Sequence, residues 1–196
     1  MAGAGYNFYP DMQNPRYALV AYVKNPVGEF VENLRRELHP DLPHLAAHVT
    51  ILPPRLLQGN ETLALQMLEK MCALSEPFEV SLGDVVTFLP DSPTVYIRID
   101  HGANRMCELH DRLNTQTLAF NEEWPYVPHL TIVKMATQLP AKHAFRVACE
   151  RWLRYSGGRR ILLEHLTFVR EVEPDRWVDL APVTLGRTLV SRQARH

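Results

Sequence analysis

A duplicated arrangement of strands and helices is the fold this sequence predicts, and three observations predict it. Apolar residues alternate between strand and helix periods along most of the chain, and the order strand, helix, strand, helix, strand occurs twice. A His-x-Thr motif opens the middle strand of each occurrence. The 196 residues amount to about one large domain. With 46% apolar and 22% charged residues the composition is globular, which excludes a disordered linker or scaffold. Lys and Arg number 21 against 22 Asp and Glu, a formal charge of -1. No polybasic face is then available for duplex DNA, and any nucleic-acid contact is expected to be small and local.

The elements follow in order. Residues 16 to 24 (RYALVAYVK) are β-rich, and after Asn25-Pro26 the residues Phe30, Val31, Leu34 and Leu38 recur at helical spacing. His48 to Leu52 reads as a short strand closed by Pro53-Pro54, since proline cannot continue a ladder. Asn60 can cap a helix whose stripe includes Ala64, Met67, Leu68 and Met71, and Phe78 to Leu89 returns to strand. From Thr94 the order repeats with the strand TVYIRI, a stripe of Met106, Leu109, Leu113 and Thr117, and a strand from Val127 to Val133. A helix after Pro140 turns Ala144, Phe145, Ala148 and Trp152 inward and ends at Gly157-Gly158. Arg160 to Val169 is read as one long closing strand, and a last strand runs through Trp177 to Val183. The halves are therefore about 16–89 and 94–183, divided at Pro90 to Pro93.

Three segments have the form His-x-Thr-apolar: His48-Val-Thr50-Ile51, His129-Leu-Thr131-Ile132 and His165-Leu-Thr167-Phe168. In a chain with nine His, chance supplies about half of one His-x-Thr, so three are an excess. Side chains two apart on a strand share a face, so each motif presents an imidazole and a hydroxyl together. His48 and His129 both begin the middle strand of their half, whereas the same offset carries His165 back to Asp84, where no motif stands. His165 is read as a strand residue on the solvated face or a satisfied core histidine, without a catalytic role. Two strands related by a pseudo-two-fold can bring two His and two Thr around one small anion, an arrangement that suits a phosphodiester. A neutral imidazole takes a proton while a protonated one donates to the leaving oxygen. The hydroxyls donate to the non-bridging oxygens, and no metal is required.

On HVTI at His48, HLTI at His129, their spacing, and the opening strand and helix, the chain resembles the 2H phosphoesterase superfamily. That superfamily includes bacterial 2',5' RNA ligases and 2',3'-cyclic nucleotide phosphodiesterases. The resemblance implies an α+β, bilobal fold, with pseudo-symmetric lobes of antiparallel sheet around a central cleft and helices outside. It also implies His48 and His129 as acid and base, with Thr50 and Thr131 as phosphate ligands. The implied activity is metal-independent hydrolysis, or reversible formation, of ribose 2',3'-cyclic phosphate or 2',5'-phosphodiester bonds in nucleotides or RNA ends.

Arg55 and Lys134 follow the two motif strands at similar distances and are candidates to place positive charge on the phosphate. Among the aromatic residues Trp124, Tyr126, Tyr96 and Phe168, any could stack on a base, and Tyr126 and Phe168 are taken as substrate-binding candidates. The series His39, His44, His48 lies across Pro40 and Pro43 without the Cys or carboxylate spacing of a zinc site, so neither metal nor other cofactor is expected. A metal-dependent phosphohydrolase is the poorer reading for the same reason. The other alternative is a non-catalytic module that holds a nucleotide or RNA end, although a pure binder has no need of two proton-transfer groups. Cys72, Cys107 and Cys149 are odd in number and fall in predicted helices, which argues against disulfides. The N-terminus MAGAGYNFYPDMQNP has no basic segment leading into an apolar one, and no stretch approaches the roughly 20 apolar residues of a membrane span. A soluble, cytoplasmic monomer is the expectation.

Overall fold

A computed structural model describes residues 15–41 and 45–186. Eight strands form one antiparallel sheet in the order β6-β3-β4-β5-β2-β1-β7-β8. In chain order these are β1 (Tyr17–Tyr22), β2 (His48–Arg55), β3 (Phe78–Thr87), β4 (Thr94–Ile99), β5 (His129–Lys134), β6 (Arg160–Leu163), β7 (His165–Glu173) and β8 (Arg176–Thr184). The two motif strands, β2 and β5, are central neighbours. Their pairing rests on the register Val49↔Leu130, so the two antiparallel lobes are joined at a narrow seam.

Four helices cover one face: α1 (Pro26–Leu38), α2 (Glu61–Ala73), α3 (Ala103–Leu113) and α4 (Gln138–Arg154). Asn25 starts α1 by accepting from the Gly28 amide, with Pro26 inside the first turn, and Asn60 starts α2 by accepting from Leu63. The packing is crossed. Helix α1, which follows β1, lies on β5, and α3, which follows β4, lies on β2. Val27, Val31 and Leu34 of α1 share one core with Met106, Leu109 and Leu113 of α3 and with Val49, Ile51, Leu130 and Ile132 of the motif strands. The alternation that sends those four strand residues into the core leaves His48, Thr50, His129 and Thr131 on the opposite, open face. On that face Ala18, Val20 and Val169 form a second apolar cluster, with Tyr22 and Trp177 packed against it.

The sheet is divided differently from the sequence. Strand β3, from the first half of the chain, pairs with β4 and β6, while β7, from the second half, pairs with β1. The segment read as one strand from Arg160 to Val169 is two strands, broken at Glu164 and lying on opposite sides of the seam. Each half thus lends its closing strand to the other lobe. Strand β2 does not stop at Pro53-Pro54 but continues to Arg55. The register shift from Leu19↔Leu52 to Tyr17↔Arg55 gives β2 an extra residue there, and a bulge tolerates residues without an N–H. Thr117 lies outside α3, in a 3-10 turn over Gln116–Leu118. Cys72, Cys107 and Cys149 lie on α2, α3 and α4 and are unpaired, and burial pushes the Cys72 thiol up to about 12. Among the described residues, no helix is long and apolar enough to cross a membrane.

Candidate active site

The seam between β2 and β5 sets the geometry of the site. Because the strands are antiparallel and Val49 pairs with Leu130, one step either way places His48 opposite Thr131 and Thr50 opposite His129. Continued in that register, each imidazole faces the threonine of the other motif across the seam, and all four side chains occupy the open face. The third motif is elsewhere: Thr167 pairs with Val20 on β1, and His165 is 71% exposed, 3.7 Å from Glu164.

Both imidazoles are oriented in the same way. His48 Nδ1 lies 2.8 Å from the carbonyl oxygen of Ala46, and His129 Nδ1 lies 2.6 Å from that of Val127. A carbonyl only accepts, so Nδ1 carries the proton and Nε2 is left as the reactive nitrogen. Burial lowers both histidines below the ordinary imidazole value, opposed in each case by the carbonyl contact. His48 is lowered further by the positive charges of Arg35 and His129. Each ring is thus neutral at pH 7 until something anionic arrives.

Arg35 of α1 is the site residue that sequence reasoning missed. Its buried guanidinium donates to the carbonyls of Ile132 (2.8 Å), Thr131 (2.9 Å) and Leu45. One cation so ties the approach to β2 to the middle of β5, across the seam where the ladder is thinnest. Glu32, one turn earlier, accepts from the Ala47 amide at 2.8 Å. The signal was present in the sequence: Arg35 stands four residues after Val31, inside the apolar stripe of α1.

On the other side of the seam a different set of contacts supports β2. Tyr126 donates its hydroxyl to the Thr50 carbonyl at 2.6 Å and stacks flat on His110 of α3, with ring centroids 4.2 Å apart. Burial drives its hydroxyl pKa up, which keeps it a donor. Arg55, expected to contact a phosphate, is 1% exposed and fully engaged. It donates to Glu122 (2.6 Å), Asn114 (2.7 Å), Leu118 (3.0 Å) and the Pro53 carbonyl (2.9 Å). Phe168, expected to stack on a base, is 1% exposed and stacks on Tyr17 in the core. Its position explains this: Phe168 occupies the core-facing parity of β7, with Leu166. Lys134 is exposed at the far end of β5.

A cavity of about 600 Å³ opens beside the pair and is lined by both Thr50 and His129. Its walls include Phe88, Phe120, Trp124 and Tyr126. Phe88 meets the His129 ring edge-on with centroids 5.2 Å apart, and Tyr96 lies 4.9 Å from the same ring. A second cavity of about 610 Å³, also bordered by Glu122 to Tyr126, contains neither motif. Among the described residues no cluster of three or more His, Cys, Asp or Glu is placed to hold a metal ion. His44 of the His39, His44, His48 series lies outside the described residues.

Fold and paired motifs together define a two-histidine phosphoesterase class of protein. The chain belongs to the 2'-5' RNA ligase superfamily, which it matches over residues 23–175. It is 28% identical over 118 residues to the candidate phosphoesterase BH1439 of Halalkalibacterium halodurans, covering 59% of this chain and 68% of that one. To the candidate phosphoesterase OB1230 of Oceanobacillus iheyensis it is 26% identical over 121 residues, covering 61% and 70%. Among solved structures, apo LigT of E. coli superposes with a TM-score of 0.58 at 14% identity, covering 89% of this chain and 99% of LigT. LigT complexed with 3'-AMP gives the same score over 89% and 100%. TT0787 of Thermus thermophilus gives 0.58 at 16% identity over 87% and 98%.

Proposed function

We propose that the chain is a metal-independent phosphodiesterase acting on a ribose 2',3'-cyclic phosphate or a 2',5'-phosphodiester, carried by a nucleotide or an RNA end. The observation that carries this reading is the register pair Val49↔Leu130, which turns both motifs onto one open face with His48 toward Thr131 and His129 toward Thr50. A phosphate held there has an imidazole Nε2 and a hydroxyl on either side. In hydrolysis one neutral Nε2 takes a proton from water as the water oxygen bonds to phosphorus. The opposite imidazolium donates its Nε2 proton to the ribose oxygen as the P–O bond breaks. The two threonine hydroxyls donate to the non-bridging oxygens, where negative charge accumulates. Microscopic reversal of these steps forms the ester.

The surroundings differ enough to divide the roles. Buried Arg35 bears on His48 and disfavours its protonated form, so His48 is the base. Among the described residues His129 has no such cation bearing on it and is assigned as the acid. The reading is tested with EDTA-treated protein on a panel of 2',3'-cyclic nucleotides and 2',5'-linked dinucleotides, with His48→Ala and His129→Ala as controls. Turnover that survives chelation and vanishes in both variants supports it. Turnover only on addition of Mn²⁺, Mg²⁺ or Zn²⁺ overturns it, as does binding without turnover at any pH.

A further inference from the structure

The cavity beside His129 is aromatic and acidic at once. Asp91, Glu122 and Glu123 line it, and among the described residues no Lys or Arg does. Glu122 is balanced, since Arg55 holds it at 2.6 Å. Asp91 and Glu123 are exposed and form no ion pair among the described residues. Two other cations close to the reacting pair are also committed: Arg35 donates to the Thr131 and Ile132 carbonyls, and Arg98, opposite His129 across β4 and β5, binds Asp100 at 2.8 Å and stands 3.7 Å from Asp84. An aromatic pocket whose described lining carries carboxylates and no unpaired cation favours a flat, uncharged group and disfavours additional phosphate.

We infer that this cavity is a charge filter: it admits a singly charged, nucleoside-sized phosphodiester and selects against substrates that carry further phosphates, an RNA chain included. The inference rests on the phosphodiesterase reading above for its substrate and narrows that reading to small nucleotides. A volume of about 600 Å³ lies within the usual range for small-ligand sites. Two carboxylates facing a dianionic phosphate across partly screened solvent are expected to weaken its capture by about 5- to 20-fold.

The test compares kcat/KM for adenosine 2',3'-cyclic phosphate with a free 5'-hydroxyl against the same compound bearing a 5'-phosphate, at low and high salt. The expected preference for the 5'-hydroxyl compound is about tenfold at low salt. Raising the salt shrinks it, and Asp91→Asn with Glu123→Gln narrows the ratio by about fivefold. Binding of adenosine 3'-phosphate and adenosine 3',5'-bisphosphate, measured by calorimetry, reads the same ratio without turnover. Equal or better use of the 5'-phosphorylated compound, or a ratio unmoved by the double substitution, overturns the filter while leaving the phosphodiesterase intact. No turnover of either compound, with the binding preference retained, overturns the enzyme reading and leaves the filter. Failure to bind either ligand overturns both.

Discussion

Strands β2 and β5 carry the same motif and the same carbonyl contact at Nδ1, yet their supports have little in common. The Thr131 carbonyl of β5 receives a buried guanidinium from α1, and the Thr50 carbonyl of β2 receives the hydroxyl of Tyr126. His129 is bordered by Phe88 and Tyr96, whereas His48 has Tyr22 edge-on at 6.4 Å, itself bound to Asp179. The paired motif strands fix where two equal groups stand, and unequal neighbours then make them chemically different. That difference decides which imidazole holds the proton the coupled pair shares.

The sharpest way to break the comparison is to remove the groups that are held equivalent. His48→Ala and His129→Ala are each expected to lower phosphodiesterase kcat/KM on the order of 100-fold or more, with the circular dichroism spectrum unchanged. His165→Ala, altering an exposed side chain on β7, is expected to match wild type. A severe loss in His165→Ala with normal turnover in His129→Ala would show that the wrong two motifs have been paired. Thr50→Val and Thr131→Val preserve the β-branched shape and delete one donor each. A fall of roughly 10- to 1,000-fold is expected in either variant, and normal turnover in both would show that the hydroxyls do not reach the phosphate.

Much of this arrangement was legible in the sequence, because it depends on local periodicity. Strand alternation put His48 with Thr50 and His129 with Thr131, and the order of elements separated them from His165. What was not legible depends on pairing between distant segments. No local pattern tells β3 to leave the first half and pair with β4, or β7 to return to β1. Arg55 and Phe168 were misplaced for different reasons, the first non-local and the second a local parity left uncounted. A charged residue after a motif strand reads as a phosphate ligand until its partners Glu122 and Asn114, some 60 residues on, are seen beside it. An aromatic residue after a His-x-Thr reads as exposed until its parity on β7 is counted, which turns it to Tyr17 and the core.

The support for β5 is tested by Arg35→Met, a substitution of similar length without donors. Three carbonyls, one of them buried, lose their partner, and stability is expected to fall by about 2–4 kcal/mol, read as a shift in the urea midpoint. The same change removes a positive charge that lowers His48, so the His48 pKa followed by NMR should rise. A destabilised protein with an unmoved His48 titration would leave Arg35 a strut without electrostatic influence.

The smallest effect is the one that reads the pair as a pair. Both histidines are depressed below the usual imidazole value, and as interacting groups they titrate as a couple. The productive state has one proton between them, so kcat/KM plotted against pH should be bell-shaped. Its maximum is expected below about pH 6.5, the unperturbed value, because burial pulls both limbs to the acid side. Stability should carry the same signature. Between the unfolded value near 6.5 and the lower folded values, the unfolded chain binds more protons than the folded one. The contribution of the pair is therefore fully present above that window and is lost as pH falls through it. His48→Asn with His129→Asn should flatten the Tm profile there by a few degrees at most. An optimum above pH 7, or a Tm profile in which the double variant and wild type run parallel, would show that burial does not hold these rings neutral.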